Sequence, residues 1–242
     1  MPPVTTLRPY RKAHDYSYTT GVFPTLELLA HRPEQVTRVL ISSRGEANEG
    51  VAKIRAICDE RHIPIVQADR QVERLAGNEK SYVVAAFHKY EAPLNPAGNH
   101  VLLVNPSDAG NLGTIIRTML GFDVTNLAIV TPAVDLFAPR SLRAAMGATF
   151  QLAFDHFDDV DAYRARFDRH LYPLMTDGEV DLPQVEFRHP YTLIFGPEGA
   201  GLGPAYHALG TSVRIPQSGR IDSLNLAVSV GIALYAATRQ EE

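Results

Sequence analysis

IFGPEGAGLG, residues 194–203, runs an apolar stretch into four glycines and a proline. A strand that ends this way presents bare backbone amides at its carboxyl end, a surface that a ligand approaches closely. Glu198 is the one ionisable group in the stretch. The plainer alternative is a glycine-rich turn with a solvated glutamate. A dinucleotide fingerprint, and with it a nucleotide-dependent oxidoreductase, is a third reading, but GxGxxG counted from Gly199 requires glycine where Pro204 stands. Around this stretch the pattern predicts apolar strands at residues 100–104, 127–130, 171–175, 191–195 and 212–215, with helical segments between most of them. That alternation reads as an α/β fold with a parallel sheet buried on both faces. Ligands of such sheets bind beyond the carboxyl ends of the strands, where residues 194–203 fall.

Two further segments flank that position. DAGNLGTIIRTMLGF, residues 108–122, follows the strand ending near Val104. Gly110 and Gly113 permit a tight turn, Asn111 is expected to cap the helix, and Arg117 lies six residues further along it. The alternative leaves Asn111 as only a cap and Arg117 as only a surface charge. IPQSGRIDSLNLAVSVGIALYAATRQ, residues 215–240, offers Asp222 or Ser223 as the cap of a long helix. The interior of that helix is almost entirely Leu, Ala, Val and Ile, so burial on nearly all sides is expected. Asn225 in its first turn then needs a polar partner; alternatively, Ser223 and Asn225 satisfy the backbone of an irregular loop.

Upstream, EAPLNPAGNH at residues 91–100 separates apolar runs with two prolines, a glycine and two asparagines, and reads as an interdomain linker. The expected division is 1–95 and 96–242. The first part alternates too: a helix near Thr25, a strand from Val36, a helix over 48–61, a strand from Ile63, a short helix over 72–75 and a strand from Tyr82. In the 48–61 helix Val51, Ile54 and Ile57 or Cys58 recur at helical spacing, which makes Cys58 a core residue. A lone cysteine excludes an intrachain disulfide, and no clustered His, Cys and Asp set suggests a metal. Arg8, Arg11 and Lys12 have no apolar run behind them, unlike a secretory signal. Residues 224–237 are too short and too interrupted for a membrane span. A cytoplasmic protein is expected. The net charge of −4 by itself argues against a nucleic-acid partner, yet it is uneven: 13 basic against 11 acidic residues over 1–95, and 10 against 16 over 96–242. All ten basic residues of the second part are arginines, the side chain suited to bidentate phosphate contacts, although an Arg-for-Lys bias is also a common effect of genome composition.

In this order and spacing, the three segments resemble the motifs of the SpoU/TrmH-like family of RNA 2′-O-ribose methyltransferases in the SPOUT superfamily. Asn111, Gly113 and Arg117 fill its asparagine-x-glycine element with an arginine six residues after the asparagine. Gly196, Glu198, Gly199 and Gly201 fill the glycine-x-glutamate-glycine-x-glycine element. Ile215 and Pro216, leading to Ser223, Leu224 and Asn225, fill the third. The resemblance spans 101–240 and, more weakly, 20–90, which looks like a small α/β ribosomal-protein-like substrate-binding domain. Ala109 stands where proline is common, and Ala145 where many relatives carry serine.

The resemblance implies a SPOUT-type parallel sheet with a C-terminal trefoil knot and S-adenosylmethionine as cofactor. Gly196, Ile215 and Leu224 would hold the cofactor, with Thr176 and Gly201 as further contacts. Arg117, Glu198, Asn225, Asn111 and Ser223 would surround the target ribose, and no metal is required. Because deprotonating a guanidinium is costly, Arg117 is expected to bind RNA phosphate and stabilise the developing alkoxide, with Glu198 and Asn225 orienting it. The family also implies a homodimer packed through the last helix, with sites drawn from both subunits. A separate amino-terminal domain favours ribosomal RNA over transfer RNA, and no DNA partner is expected. A non-catalytic RNA-binding protein of the same fold is the remaining alternative; it predicts losses among Asn111, Arg117, Glu198, Ser223 and Asn225, none of which is lost.

Overall fold

The computed structural model describes residues 7–77 and 81–239; residues 1–6 and Gln240, the last of the third motif, lie outside them. In chain order the elements are β1 (Tyr16–Thr20), α1 (Val22–His31), β2 (Val36–Ile41), α2 (Glu49–Glu60), β3 (Ile65–Gln67), α3 (Asp69–Ala76) and β4 (Val83–His88). Next come β5 (His100–Val104), α4 (Ala109–Gly121), β6 (Asn126–Val130), α5 (Pro139–Ala144), β7 (Ala153–Phe157) and α6 (Val160–Arg166). The chain ends with β8 (His170–Pro173), β9 (Val180–Asp181), β10 (Tyr191–Phe195), β11 (Val213–Arg214) and α7 (Leu226–Thr238). They form two compact units: residues up to Tyr90 together with Asp135–Phe150, and Glu91–Val134 together with Gln151 onward. The division therefore differs from a single boundary after residue 95. Residues 135–150 join the first unit because Phe137 and Phe150 set their rings edge-on to Phe87 at 5.9 and 5.3 Å.

In the first unit the strand order is β1-β4-β2-β3. The central strand β4 is antiparallel to both neighbours, and Val83 to Phe87 are all fully buried. The side chain of Asn48 caps α2 by accepting from the amides of Gly50 and Val51 at 2.9 and 3.2 Å. Val51, Ile54 and Cys58 then face the core, and burial pushes the Cys58 thiol up to about 11. Strand β1, YSYTT, carries no apolar alternation to announce it. Two of its buried hydroxyls are satisfied by tertiary partners instead: Thr19 by Thr25 at 2.8 Å and Ser17 by the Phe137 carbonyl.

The second unit is built on a five-stranded sheet of order β7-β6-β5-β10-β8, parallel throughout. All five residues of β5, β6 and β10 are buried, as expected of strands covered on both faces. Helix α4 packs on α7 at one face, while Leu102, Val104, Tyr163, Phe167 and Ile194 share a core on the other. Two strand expectations need correction. The edge strand β7, AFDHF, was missed because Asp155 and His156 break the apolar run. Residues 212–215 do not join the main sheet; Val213 and Arg214 pair with Val180 and Asp181 in a separate two-stranded one.

Residues 91–99 are not a free linker either. Ala92 bridges Phe154, Leu94 is in the core, and the Arg169 guanidinium donates to the carbonyls of Gly98 and Pro96, each at 2.6 Å. His100, fully buried, reaches the Asn95 carbonyl through Nε2 at 2.9 Å and the Tyr163 hydroxyl through Nδ1 at 2.8 Å. Because a carbonyl only accepts, Nε2 carries the proton and Nδ1 accepts from Tyr163, whose oxygen meets the Thr192 hydroxyl at 2.6 Å. Among the described residues no helix is long and apolar enough to cross a membrane.

Candidate functional site

From the carboxyl end of β5 the chain passes through α4 to β6 on one side of the sheet. β10, the other neighbour of β5, leads away into residues 196–225 and then α7. The two loops diverge at a topological switch point, where open α/β sheets hold their ligands. Asp108 Oδ1 accepts from the Asn111 amide at 2.7 Å, so Asp108, not Asn111, caps α4. This leaves the Asn111 side chain to bridge elements. Its Nδ2 donates to Glu198 Oε1 at 3.2 Å, and its Oδ1 accepts from Asn225 Nδ2 at 3.1 Å. Asn225 Oδ1 accepts in turn from the amides of Ala227 and Val228 at 2.9 and 3.3 Å, so the cap of α7 is Asn225 rather than Asp222 or Ser223.

The other oxygen of Glu198 accepts from Ser107, at 2.7 Å from the hydroxyl and 3.2 Å from the amide. Partial burial opposes ionisation of this carboxyl, but the Ser107 and Asn111 donors outweigh it and hold the group below the usual carboxylate range. Glu198 is thus an anionic acceptor that ties its loop to residues 107–111, and Asn111 carries the link on to Asn225. The orientation of each amide follows from its neighbours: the helix amides fix the oxygen of Asn225, which fixes Asn111, whose donor faces the carboxylate.

Beside this rim lies a cavity of about 570 Å³, within the range of small-molecule sites. Asn111, Thr176, Gly196, Glu198, Gly201, Ile215, Ser223, Leu224 and Asn225 all line it. Arg117 does not; it is exposed on α4 and outside the lining. Gly196 is obligatory for close approach, since a Cβ there would sit 2.4 Å from the Gly201 carbonyl carbon. Gly201 itself has φ +67°, a conformation that favours glycine. The lining carries the carboxylates of Asp177, Glu198 and Asp222 and no Lys or Arg. Such a wall suits a cationic ligand and repels the pyrophosphate of a dinucleotide.

The model of the SpoU rRNA Methylase family matches residues 98–235. The chain belongs to that family. A 23S rRNA (guanosine-2′-O-)-methyltransferase, RlmB of Acinetobacter baylyi, is 25% identical over 241 residues, covering 92% of this chain and 97% of that protein. A 23S rRNA (uridine(2479)-2′-O)-methyltransferase of Streptomyces viridochromogenes is 33% identical over 150 residues, 58% of this chain and about half, 52%, of the relative. Among solved structures, the SpoU methyltransferase AviRb from Streptomyces viridochromogenes in complex with AdoMet superposes with a TM-score of 0.79 at 25% identity, covering 94% of this chain and 91% of that one. The α/β fold and parallel sheet of the second unit are those of the SpoU family.

Residue reading missed two groups at this SpoU-type rim, Ser107 and Asp108. A signal was present, since Ser and Asp directly before an apolar-periodic segment mark a helix start. Nothing in the sequence singles out Leu174, Asp177 or Leu202, which reach the cavity through strand ends and loop packing.

Proposed function

We propose that this protein transfers the methyl group of S-adenosylmethionine to a ribose 2′-hydroxyl of ribosomal RNA. The observation that carries the reading is the hydrogen-bonded set Glu198, Asn111 and Asn225 standing on the rim of a glycine-floored cavity with an anionic lining and no cation. When bound, S-adenosylmethionine supplies an electrophilic methyl on a positively charged sulfonium. Gly196 and Gly201 offer it a backbone surface, Ile215, Leu224 and Leu174 an apolar wall, Thr176 a hydroxyl, and the carboxylates a complementary field. Transfer requires the 2′-oxygen to be in line with the methyl and its proton to be taken up. Glu198, held ionised by its donors, positions the rim; Ser223 and Asn225 face the incoming ribose. Arg117 meets the RNA phosphate and the developing alkoxide. Ribosomal RNA is favoured by the full-length match to an rRNA enzyme, which spans both units.

A homodimer belongs to the same reading. Helix α7 is not buried all round: Val228, Ile232 and Tyr235 are 50, 38 and 51% exposed, an apolar stripe at helical spacing. A second copy would cover it, and Arg117 of each chain would serve the site of the other, which accounts for its absence from its own cavity. A C-terminal trefoil knot belongs to the same reading, on the strength of the SpoU family match. The first unit is assigned to RNA binding, and the location to the cytoplasm. Calorimetry with S-adenosylmethionine in the absence of metal, together with mapping of ribose methylation across ribosomal RNA with and without the gene, tests the function. Cofactor binding that depends on a divalent ion, or an unchanged methylation map, would refute it.

A further inference from the structure

The first unit carries a segment that the methyl-transfer reading does not use. Residues 7–15, LRPYRKAHD, form no strand and no helix, yet they are tied down at several points. Leu7 is 1% exposed and packs with Tyr18, Leu40, Val72, Val84 and Ala86. Its carbonyl accepts from the Arg74 guanidinium at 2.7 Å. The Tyr10 hydroxyl donates to Asp135, and the Lys89 ammonium donates to the Lys12 carbonyl at 2.9 Å while lying 4.9 Å from the centre of the Tyr10 ring. At the far end His14 stacks on Tyr16, with ring centres 4.8 Å apart and planes 13° apart. Leu7 is thus buried and Tyr10 and His14 half-buried, while Pro9 and Ala13 share the exposed side with Arg8, Arg11 and Lys12. Asp15 is the only acid in the segment. Arg8 and Arg11 have no acidic partner among the described residues.

We propose that residues 8–12 are a pre-ordered cationic strap that binds the phosphate backbone of the RNA substrate. The inference rests on the proposed RNA methyl transfer and adds to it a defined contact surface on the first unit. Three cations on a clamped backbone lose less conformational freedom on binding than three on a loose tail, so more of the counterion-release free energy appears as affinity. The surface fits a polyanion of regular spacing, and it reads phosphate rather than base, since long cationic side chains on an open strap contribute affinity without sequence selectivity.

The test is filter binding of the full chain to an unmodified transcript of large-subunit ribosomal RNA over a potassium chloride series. The parent is compared with the triple variant Arg8→Ala, Arg11→Ala, Lys12→Ala and with the charge-preserving variant Arg8→Lys, Arg11→Lys. At ~0.7–0.9 per phosphate contact, the triple variant should lower the log–log salt slope by about 2 to 3 and weaken binding roughly hundredfold near 0.1 M salt. The Lys variant should keep the parental slope, and calorimetric affinity for S-adenosylmethionine should stay unchanged in both. Equal slopes for parent and triple variant overturn the strap while leaving methyl transfer intact. So does a loss of binding confined to anionic phosphatidylserine vesicles. A parent that binds S-adenosylmethionine but no RNA at any salt overturns the function and the strap together.

Discussion

Glu198 shows how one side chain is given a role by its donors. Three hydrogen bonds, two from Ser107 and one from Asn111, converge on its carboxylate. Glu198→Gln replaces an all-acceptor group by one with a single acceptor oxygen, so one of those donors is left facing an NH₂. A misplaced charged hydrogen bond costs about 1.5–3 kcal/mol, and methyl transfer should fall roughly 10–100-fold in single-turnover assays. Parental turnover would remove Glu198 from the site. His100 supplies a second test, of stability. Its environment, dominated by burial, depresses the imidazole to about 4. The unfolded chain therefore takes up a proton that the folded chain refuses, and stability, complete above pH ~6.5, is lost as the pH falls towards about 4 by up to ~1.4 kcal/mol per unit. Urea midpoints measured at pH 7 and pH 5 should separate in the parent and lie closer together in His100→Phe, the remainder including His170, which burial also lowers; an unchanged separation would place the effect elsewhere.

At the scale of elements, the start of α4 links stability to the site. Asp108 is the cap, with extended dihedrals of −97° and 124°, and Ala109 is the first helical residue. That position tolerates proline, since its amide has no helical acceptor to lose, and an extended preceding residue is what proline demands. Ala109→Pro should raise stability by about 0.4–1 kcal/mol, a gain of a few degrees in calorimetry, with methyl transfer preserved. Asp108→Ala should cost about 1 kcal/mol and also release Asn111 from its register with Glu198. A melting temperature lowered by Ala109→Pro would contradict the assigned helix start. Both caps escaped residue reading for one reason. Asn111, Asp222 and Ser223 have the right chemistry for a cap as much as Asp108 and Asn225 do, so each helix start offers several candidates and the path of the backbone selects among them.

At the scale of the whole molecule, the exposed stripe Val228, Ile232 and Tyr235 and the absence of Arg117 from its own cavity make a joint prediction. Ile232→Glu with Tyr235→Glu should sediment as a monomer and lose methyl transfer while still binding S-adenosylmethionine. Chains bearing Arg117→Ala, mixed and refolded with chains bearing Glu198→Gln, should regain about a quarter of the parental rate, because half the dimers are mixed and each holds one intact site. No recovery would confine Arg117 to its own subunit. The parallel sheet and the glycine-rich ligand surface at its carboxyl edge were legible in the sequence, and nine of the cavity residues were indicated by the resemblance of its motifs to the SpoU/TrmH-like family. Buried parallel strands are continuous apolar runs, and a backbone that must approach a ligand needs glycine. Strand β1 was not legible, because the buried hydroxyls of Ser17 and Thr19 are held by tertiary partners, one as distant in sequence as Phe137. The return of residues 135–150 to the first unit was not legible either, because Phe137 and Phe150 are ordinary apolar residues until Phe87 receives them. Local periodicity and backbone tolerance are properties of neighbouring residues, so the sequence alone determined the buried strands β5, β6 and β10 of the second unit's sheet and its ligand edge. Burial of a polar strand and division into units depend on groups far apart in the chain, and only the tertiary structure, by bringing those groups within contact distance, decided them.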